Sequence, residues 1–385
     1  MVNERPAWIS SSICRRLIGI LTVLVLVSLG STAEADEDVL RLLIWEGYAP
    51  EQYVKSFEKK IEKKYGRRVK MAFSLADGTD DFFAAIRGDT ADVVTISHHA
   101  IKDEQFNFIA KELIMPFNLA NIPNHAHLIP SIKNAEYHIV DGKVYGVPIA
   151  NGPYGLAYNT AKFKQAPQTW NILWDPAYKK QYSIGAEEYV YNVNITALAM
   201  GFPRESISSY AALNTKPFRM KLRELAVNAN SLWVGVDTPE ELFGMSLATC
   251  WGDSLSPLKA RGETWEIADP KEGTMWWIDE YAFTWSLAEK PFLKQVAEEW
   301  VNENLSQEFQ VDYLVRQASV HPVVTNIASK LTKAEKARLQ IDVDPKMLMD
   351  RRILQQIHSK RDRNGLRLLW KEAMNGVQVK KGRGE

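Results

Sequence analysis

Cysteine is nearly missing from this 385-residue chain, which has two, Cys14 and Cys250. A disulfide framework is therefore excluded, and stability has to come from a large apolar core. A surplus of charge is missing as well, with 47 basic against 47 acidic residues. Without a basic excess, neither nucleic acid nor an acidic membrane surface is an expected partner. Long apolar runs are scarce. The run that stands out, Leu17–Gly30, covers 14 residues, short of the ~20 that a membrane helix needs. Also absent are GxSxG, a P-loop, GxGxxG and HExxH. The local signatures of a hydrolase elbow, a phosphate cradle, a dinucleotide fold and a zinc-protease helix are thus lacking. Nothing supplies a nucleophile with an oriented base, so binding without catalysis, cofactor or metal is expected.

What the chain does have begins with a leader. Arg15 and Arg16 precede the apolar run, and Ala33-Glu34-Ala35 follows as an A-x-A site. Residues 1–35 read as a cleavable secretory signal and predict export to a periplasm. Its removal leaves 44 basic against 45 acidic residues. Cys14 leaves with it, so Cys250 is expected to be a small buried residue without a partner.

Beyond the leader the pattern is α/β. Val39–Trp45 predicts a buried strand. Pro50 and Glu51 open a helix whose apolar face is Tyr53, Val54, Phe57 and Ile61, and Gly66 stops it. Val69, Met71 and Phe73 alternate as a second strand, "DDFFAAIRGD" forms a short helix, and Ala91–Ser97 is a third strand. The order β-α-β-α-β predicts a parallel sheet with right-handed crossovers. Gly142–Asn159 reads as a strand crossing into a second unit, which holds helices at Asn192–Met200 and Phe218–Leu225 and a strand at Ser246–Trp251. Met275–Trp285 reads as the return crossing, followed by helices at Pro291–Leu305 and around Met347–Met374. The expected architecture is two α/β lobes, 36–149 with 278–328 and 150–277 with 329–376, hinged by two crossing strands. Residues 377–385 form a basic tail.

The return crossing contains the main functional hint. "MWWIDEYAFTW" sets Asp279 among aromatic residues. In a strand Trp277, Asp279 and Tyr281 share one face. An unpaired buried carboxylate costs several kcal/mol, order of magnitude, so Asp279 either faces water from an edge strand or awaits a cation. Aromatic neighbours would add cation–π attraction of roughly 0.5–2 kcal/mol each. The same chemistry recurs at two strand ends, Trp45-Glu46-Gly47-Tyr48 and Trp251-Gly252-Asp253. Ser97-His98 also follows a strand, the place where open α/β sheets bind ligands. His98-His99 would face opposite ways on a strand, and His125–His127, with i, i+2 spacing, lacks nearby acids or cysteines to complete a metal site. Glu187-Glu188 is either an acid pair for a cation or a set of exposed charges at a helix start.

From Trp45 to about Met374 the chain resembles the periplasmic solute-binding proteins of the spermidine/putrescine branch. The resemblance is carried by "IWEGY", "ADVVTIS", "YGVPIANGPYGLAYN", "TWNILWDPAYKK", "CWGDS" and above all "PKEGTMWWIDEYAF". It implies a type II periplasmic binding fold, with the ligand between lobes. It implies that Asp279 clamps a substrate amine beside Trp277, and that Trp45, Tyr48 and Trp251 form an aromatic wall. His98 falls where the family commonly has tyrosine. The acid expected two residues after Trp45 is replaced by Gly47, with Glu46 shifted by one. Glu187, Glu188 or Tyr191 would occupy the second acid cluster. The implied partners are a linear polyamine (putrescine, spermidine or norspermidine) and an inner-membrane ABC permease. A membrane sensor controlling a cyclic-di-GMP enzyme is the alternative implied by "IWEGY". A monomer is expected.

Overall fold

Residues 38–341 and 350–378 are described by a computed structural model. The expected leader and nearly all of the expected basic tail lie outside the described residues. Asp38–Ile44 forms β1, Glu51–Tyr65 α1, Val69–Leu75 β2, Thr79–Arg87 α2 and Val93–Ser97 β3. β2 and β3 both run parallel to β1. The amphipathic face read from α1 packs inward through Val54, Phe57 and Ile61, each such burial contributing ~1.5–3 kcal/mol. The chain then enters β4, Val147–Asn159, a strand of 13 residues.

The next segment supplies β5 (Tyr182–Gly185), α3 (Tyr189–Ala199), α4 (Lys216–Asn228), β6 (Ser231–Trp233), β7 (Leu247–Cys250) and β8 (Trp265–Ile267). β5 and β6 are parallel to each other, and β7 is parallel to β5. The return strand is β9, Thr274–Thr284, followed by α5, Pro291–Asn304, and a π-helix at Phe309–Val315. α6 covers Lys360–Ala373.

Eight of these strands make one sheet in the order β2-β1-β3-β9-β4-β7-β5-β6, and β8 pairs with β4 off that path. β9 and β4 are antiparallel to each other and lie at its centre. All eleven residues of β9 are buried, which overturns the edge-strand alternative for Asp279. Separate apolar cores serve the two ends of the sheet. One joins β1, α1, β9 and α5, and the other joins β5, α3, α4, β6 and α6. The helix expected around Met347–Met374 is interrupted among the described residues, because Arg352–Leu354 is a strand beside Thr274–Trp276. There, backbone pairing with β9 takes the place of helical turns.

Candidate functional site

Asp279 owes its setting to the register of β9. It pairs with Ser97 at the end of β3 and with Ala150 in β4, and the β4 register shifts between Asp279 and Glu280. The shift skips Ile149, whose carbonyl accepts from Gln310 Nε2 at 3.0 Å. The two acids beside this bulge find different partners. Glu280 meets His138 Nδ1 at 2.6 Å. Asp279 accepts from the Tyr48 hydroxyl at 2.7 Å on Oδ2 and from Ser97 Oγ at 2.8 Å on Oδ1. Among the described residues, no lysine or arginine pairs with it.

Only 8% of Asp279 is exposed. Burial pushes its carboxyl up to about 6, with Glu280 adding to the rise and the two hydroxyl bonds opposing it. Burial and the neighbouring Asp279 hold the Tyr48 phenol well above its ordinary range, so it stays a donor. Each carboxylate oxygen has used one hydroxyl donor and keeps acceptor capacity for another.

Aromatic rings stand alongside. Trp277 packs against Gly152, where an added Cβ would be 2.8 Å from the indole; glycine is required by that close approach. Trp251 meets Trp277 edge-on, with centroids 6.4 Å apart. It also touches Tyr154 at 4.7 Å and Tyr191 at 5.1 Å. The loop that carries Trp251 is held by Asp237. That carboxylate accepts from the backbone N–H of Trp251 at 2.7 Å, Gly252 at 3.3 Å and Ser254 at 2.9 Å. Trp45, by contrast, sets its ring against Phe82 of α2 at 4.8 Å and shows no ring contact with Trp251 or Trp277.

The second tier of acids lies around these rings. Glu46 and Asp253 line a cavity of about 470 Å³ together with Gly47, Val236 and Tyr313. Asp253 keeps surface exposure, yet burial of its carboxyl and the charge of Asp237 raise it above the usual range. The Tyr313 hydroxyl donates to the Gly47 carbonyl. Glu187 faces solvent, whereas Glu188 is half-buried. Burial raises Glu188 to about 8, with Glu187 adding to the effect. The phenol of Tyr191 is raised by burial, then by Glu188 and by Asp279, so this ring lies within electrostatic reach of both acids. His98 has Nδ1 at 3.3 Å from the Ile278 carbonyl and Nε2 at 3.1 Å from that of Gln355. Burial lowers it to about 4, so it is a neutral core imidazole, whose single N–H can donate to one of these two carbonyls.

The structure thus brings Tyr48, Ser97, Trp277 and Asp279 together, with Trp251 and Tyr191 beside them. Glu46 and Asp253 sit at one cavity and Glu188 in the aromatic cluster. His98 and Glu187 are turned to other surroundings, while Trp45 packs on Phe82 and on the apolar cluster that holds Tyr48 and Trp277. Sequence reasoning missed Asp237, Tyr154 and Tyr313. Asp237 acts on a loop fourteen or more positions downstream, and Tyr313 comes from a π-helix that apolar periodicity does not register. Among the described residues, no group of three His, Cys, Asp or Glu could hold a metal ion. Cys250 is buried and free.

The bacterial extracellular solute-binding protein model matches residues 88–342, about two-thirds of the chain. The chain belongs to that family. Its fold is that of periplasmic binding proteins. The structure of a proposed spermidine/putrescine ABC transporter protein from Listeria monocytogenes aligns with TM-score 0.69 at 20% identity, covering 88% of this chain and 99% of that one. The spermidine/putrescine substrate-binding protein PotD from Streptococcus pneumoniae aligns with TM-score 0.69 at 14% identity, covering 89% and 100%. The binding protein MotA of A. tumefaciens, in complex with glucopine, aligns with TM-score 0.58 at 13% identity, covering 89% and 100%. At these identities the likeness is one of fold. No helix among the described residues is long and apolar enough to cross a membrane.

Proposed function

We propose that this solute-binding protein captures a linear polyamine and hands it to an inner-membrane ABC permease from the periplasm, after a cleavable leader has directed its export. The observation that carries this reading is Asp279. It is a nearly dry carboxylate bonded to two neutral hydroxyls, flanked by indole, and without a cation of its own chain among the described residues. A ligand ammonium would supply the missing charge, and the faces of Trp277 and Trp251 would cover its methylenes and add cation–π attraction. With Asp279 only 8% exposed, a ligand reaches it when the two ends of the sheet part. We assign lobes to 36–149 with 278–328 and to 150–277 with 329–376, moving about β4 and β9 as a hinge. No covalent step is needed.

The test is a panel titration followed by tryptophan fluorescence, using putrescine, spermidine, norspermidine and a neutral sugar. Saturable quenching or enhancement with at least one amine, and none with the sugar, is expected. A response to the sugar with none to the amines would overturn the reading.

A further inference from the structure

We infer that the cavity beside His125 and Lys133 is a second ligand site, one that takes a small carboxylate with an apolar body. It goes beyond the amine reading and does not depend on it.

The cavity lies among the short turns between β3 and β4. Its volume is about 610 Å³, within the range of small-molecule sites. Leu119 and Ile122 wall it from one side. Ile139 and Val144, which pair with each other across a short hairpin, wall it from another. His125 and Lys133 are its titratable side chains. None of the lining residues is acidic, and none belongs to the set around Asp279.

The frame of the cavity is tied to α5. Asn124 donates its backbone N–H to Asn302 Oδ1 and its side-chain Nδ2 to the Asn302 carbonyl, both at 2.9 Å. Glu298 of α5 is buried, and it accepts from the Asn118 N–H at 3.0 Å and from Asn121 Nδ2 at 2.6 Å. That acid is therefore committed to holding the turns. His138 is committed as well, with Nδ1 at 2.6 Å from Glu280 and Nε2 at 3.2 Å from the Lys133 carbonyl.

His125 is treated differently. Only 7% of it is exposed. Its Nε2 is buried without a hydrogen-bond partner, and its Nδ1 makes no bond either among the described residues. A buried donor and acceptor left unused cost free energy, and a bound ligand recovers it. The half-buried Lys133 ammonium also lacks a carboxylate partner among the described residues, and it lies within electrostatic reach of the ring. Burial, with Lys133 and His138 adding to the effect, lowers His125 to about 4, so at neutral pH it offers a neutral N–H. One cation, one neutral donor and no acid suit a single negative charge. A carboxylate satisfies both groups, one oxygen accepting from Lys133 Nζ and the other from the imidazole N–H. The apolar walls take the rest of the molecule. An ammonium would meet Lys133 with no countercharge, so this site rejects the class of ligand proposed for Asp279.

The test is nuclear magnetic resonance of the histidine rings of the whole protein at pH 7, with His125→Gln identifying the His125 signal. The probe is 2-naphthoate, and its neutral amide, 2-naphthamide, is the control. Naphthoate is expected to shift the His125 signal saturably with a dissociation constant of about 0.1–1 mM, and naphthamide at least about tenfold more weakly. Lys133→Gln should weaken naphthoate about tenfold while amine binding stays as in the wild-type protein. A His125 signal that naphthoate leaves unmoved, equal binding of the amide, or unchanged naphthoate affinity in Lys133→Gln would overturn the inference and leave the amine reading untouched.

Discussion

β3 has a buried aspartate near each of its ends, and the two are treated in opposite ways. Asp92 lies just before its first residue and is fully buried. It receives Arg41 Nε at 3.0 Å, Arg41 Nη2 at 2.8 Å, Lys290 Nζ at 2.7 Å and Ser286 Oγ at 2.8 Å. Burial alone would raise its carboxyl, but these partners bring it down to about 2. Asp279 lies opposite the last residue, Ser97, and is raised to about 6 because only hydroxyls reach it. Desolvation acts on both. The difference is that the chain carries the cations for one acid and leaves the other short of a full countercharge. A structural acid is completed within its own sequence, whereas on our proposal Asp279 is completed by an external ligand.

Exchanging each acid for its amide sharpens the contrast most. Asp92→Asn should cost about 3 kcal/mol of stability in urea unfolding, since it strands Arg41 and Lys290 in a partly buried site. The pH dependence follows the direction of each shift. The depressed Asp92 contributes about 2–3 kcal/mol above its unfolded value near 4, and this is lost as pH falls through about 2. The raised Asp279 acts in reverse. The folded state holds its proton more tightly, so ionisation between about 4 and 6 costs stability, on the order of 3 kcal/mol at most. Asp279→Asn should therefore leave the melting temperature unchanged or raise it, while weakening amine binding by about a hundredfold or more. A variant that melts lower and binds amine normally would make Asp279 a second Asp92.

Trp277→Phe is the next largest expected effect. It keeps an apolar ring over Gly152 but loses the stronger π-face, so amine affinity should fall about tenfold, with a smaller change in melting temperature. Tyr48→Phe removes the hydroxyl at 2.7 Å from Asp279. In the wild-type protein, amine binding should weaken as pH falls through about 6. In Tyr48→Phe that midpoint should move upward, with about a fivefold loss at pH 7. Ser97→Ala should act in the same direction and less, about threefold, because Ser97 is more exposed than Tyr48. Fluorescence titration across pH reads all three.

Much of the fold was legible because period-2 and period-3.6 patterns report which face is buried. β1 to β3, α1, α2 and both central strands fall where alternation and turn residues placed them. Asp279 was legible for the same reason, since strand alternation put it on the face of Trp277. What escaped depends on contacts across the chain. Arg352–Leu354 is a strand because it pairs with Thr274–Trp276 of β9. Asp237 matters through amides of a later loop. His98 sits at a strand end, as a ligand residue would, but the carbonyls of Ile278 and Gln355 engage it. Trp45 was read as a wall residue, and its edge-on contact with Phe82 of α2 was not visible from spacing. Spacing shows which face a side chain shares; it does not show which distant group has already claimed it.

The carboxyl of Asp279 can be followed directly. Carbon-13 labelling of aspartate side chains, with Asp279→Asn to assign the resonance, gives its titration in the free protein and with saturating spermidine. The free form should titrate near 6 and the bound form below 4, as the ammonium stabilises the charge. A midpoint near 4 in the free protein, or one that spermidine leaves unmoved, would contradict the claim that this acid is kept for a cation from outside.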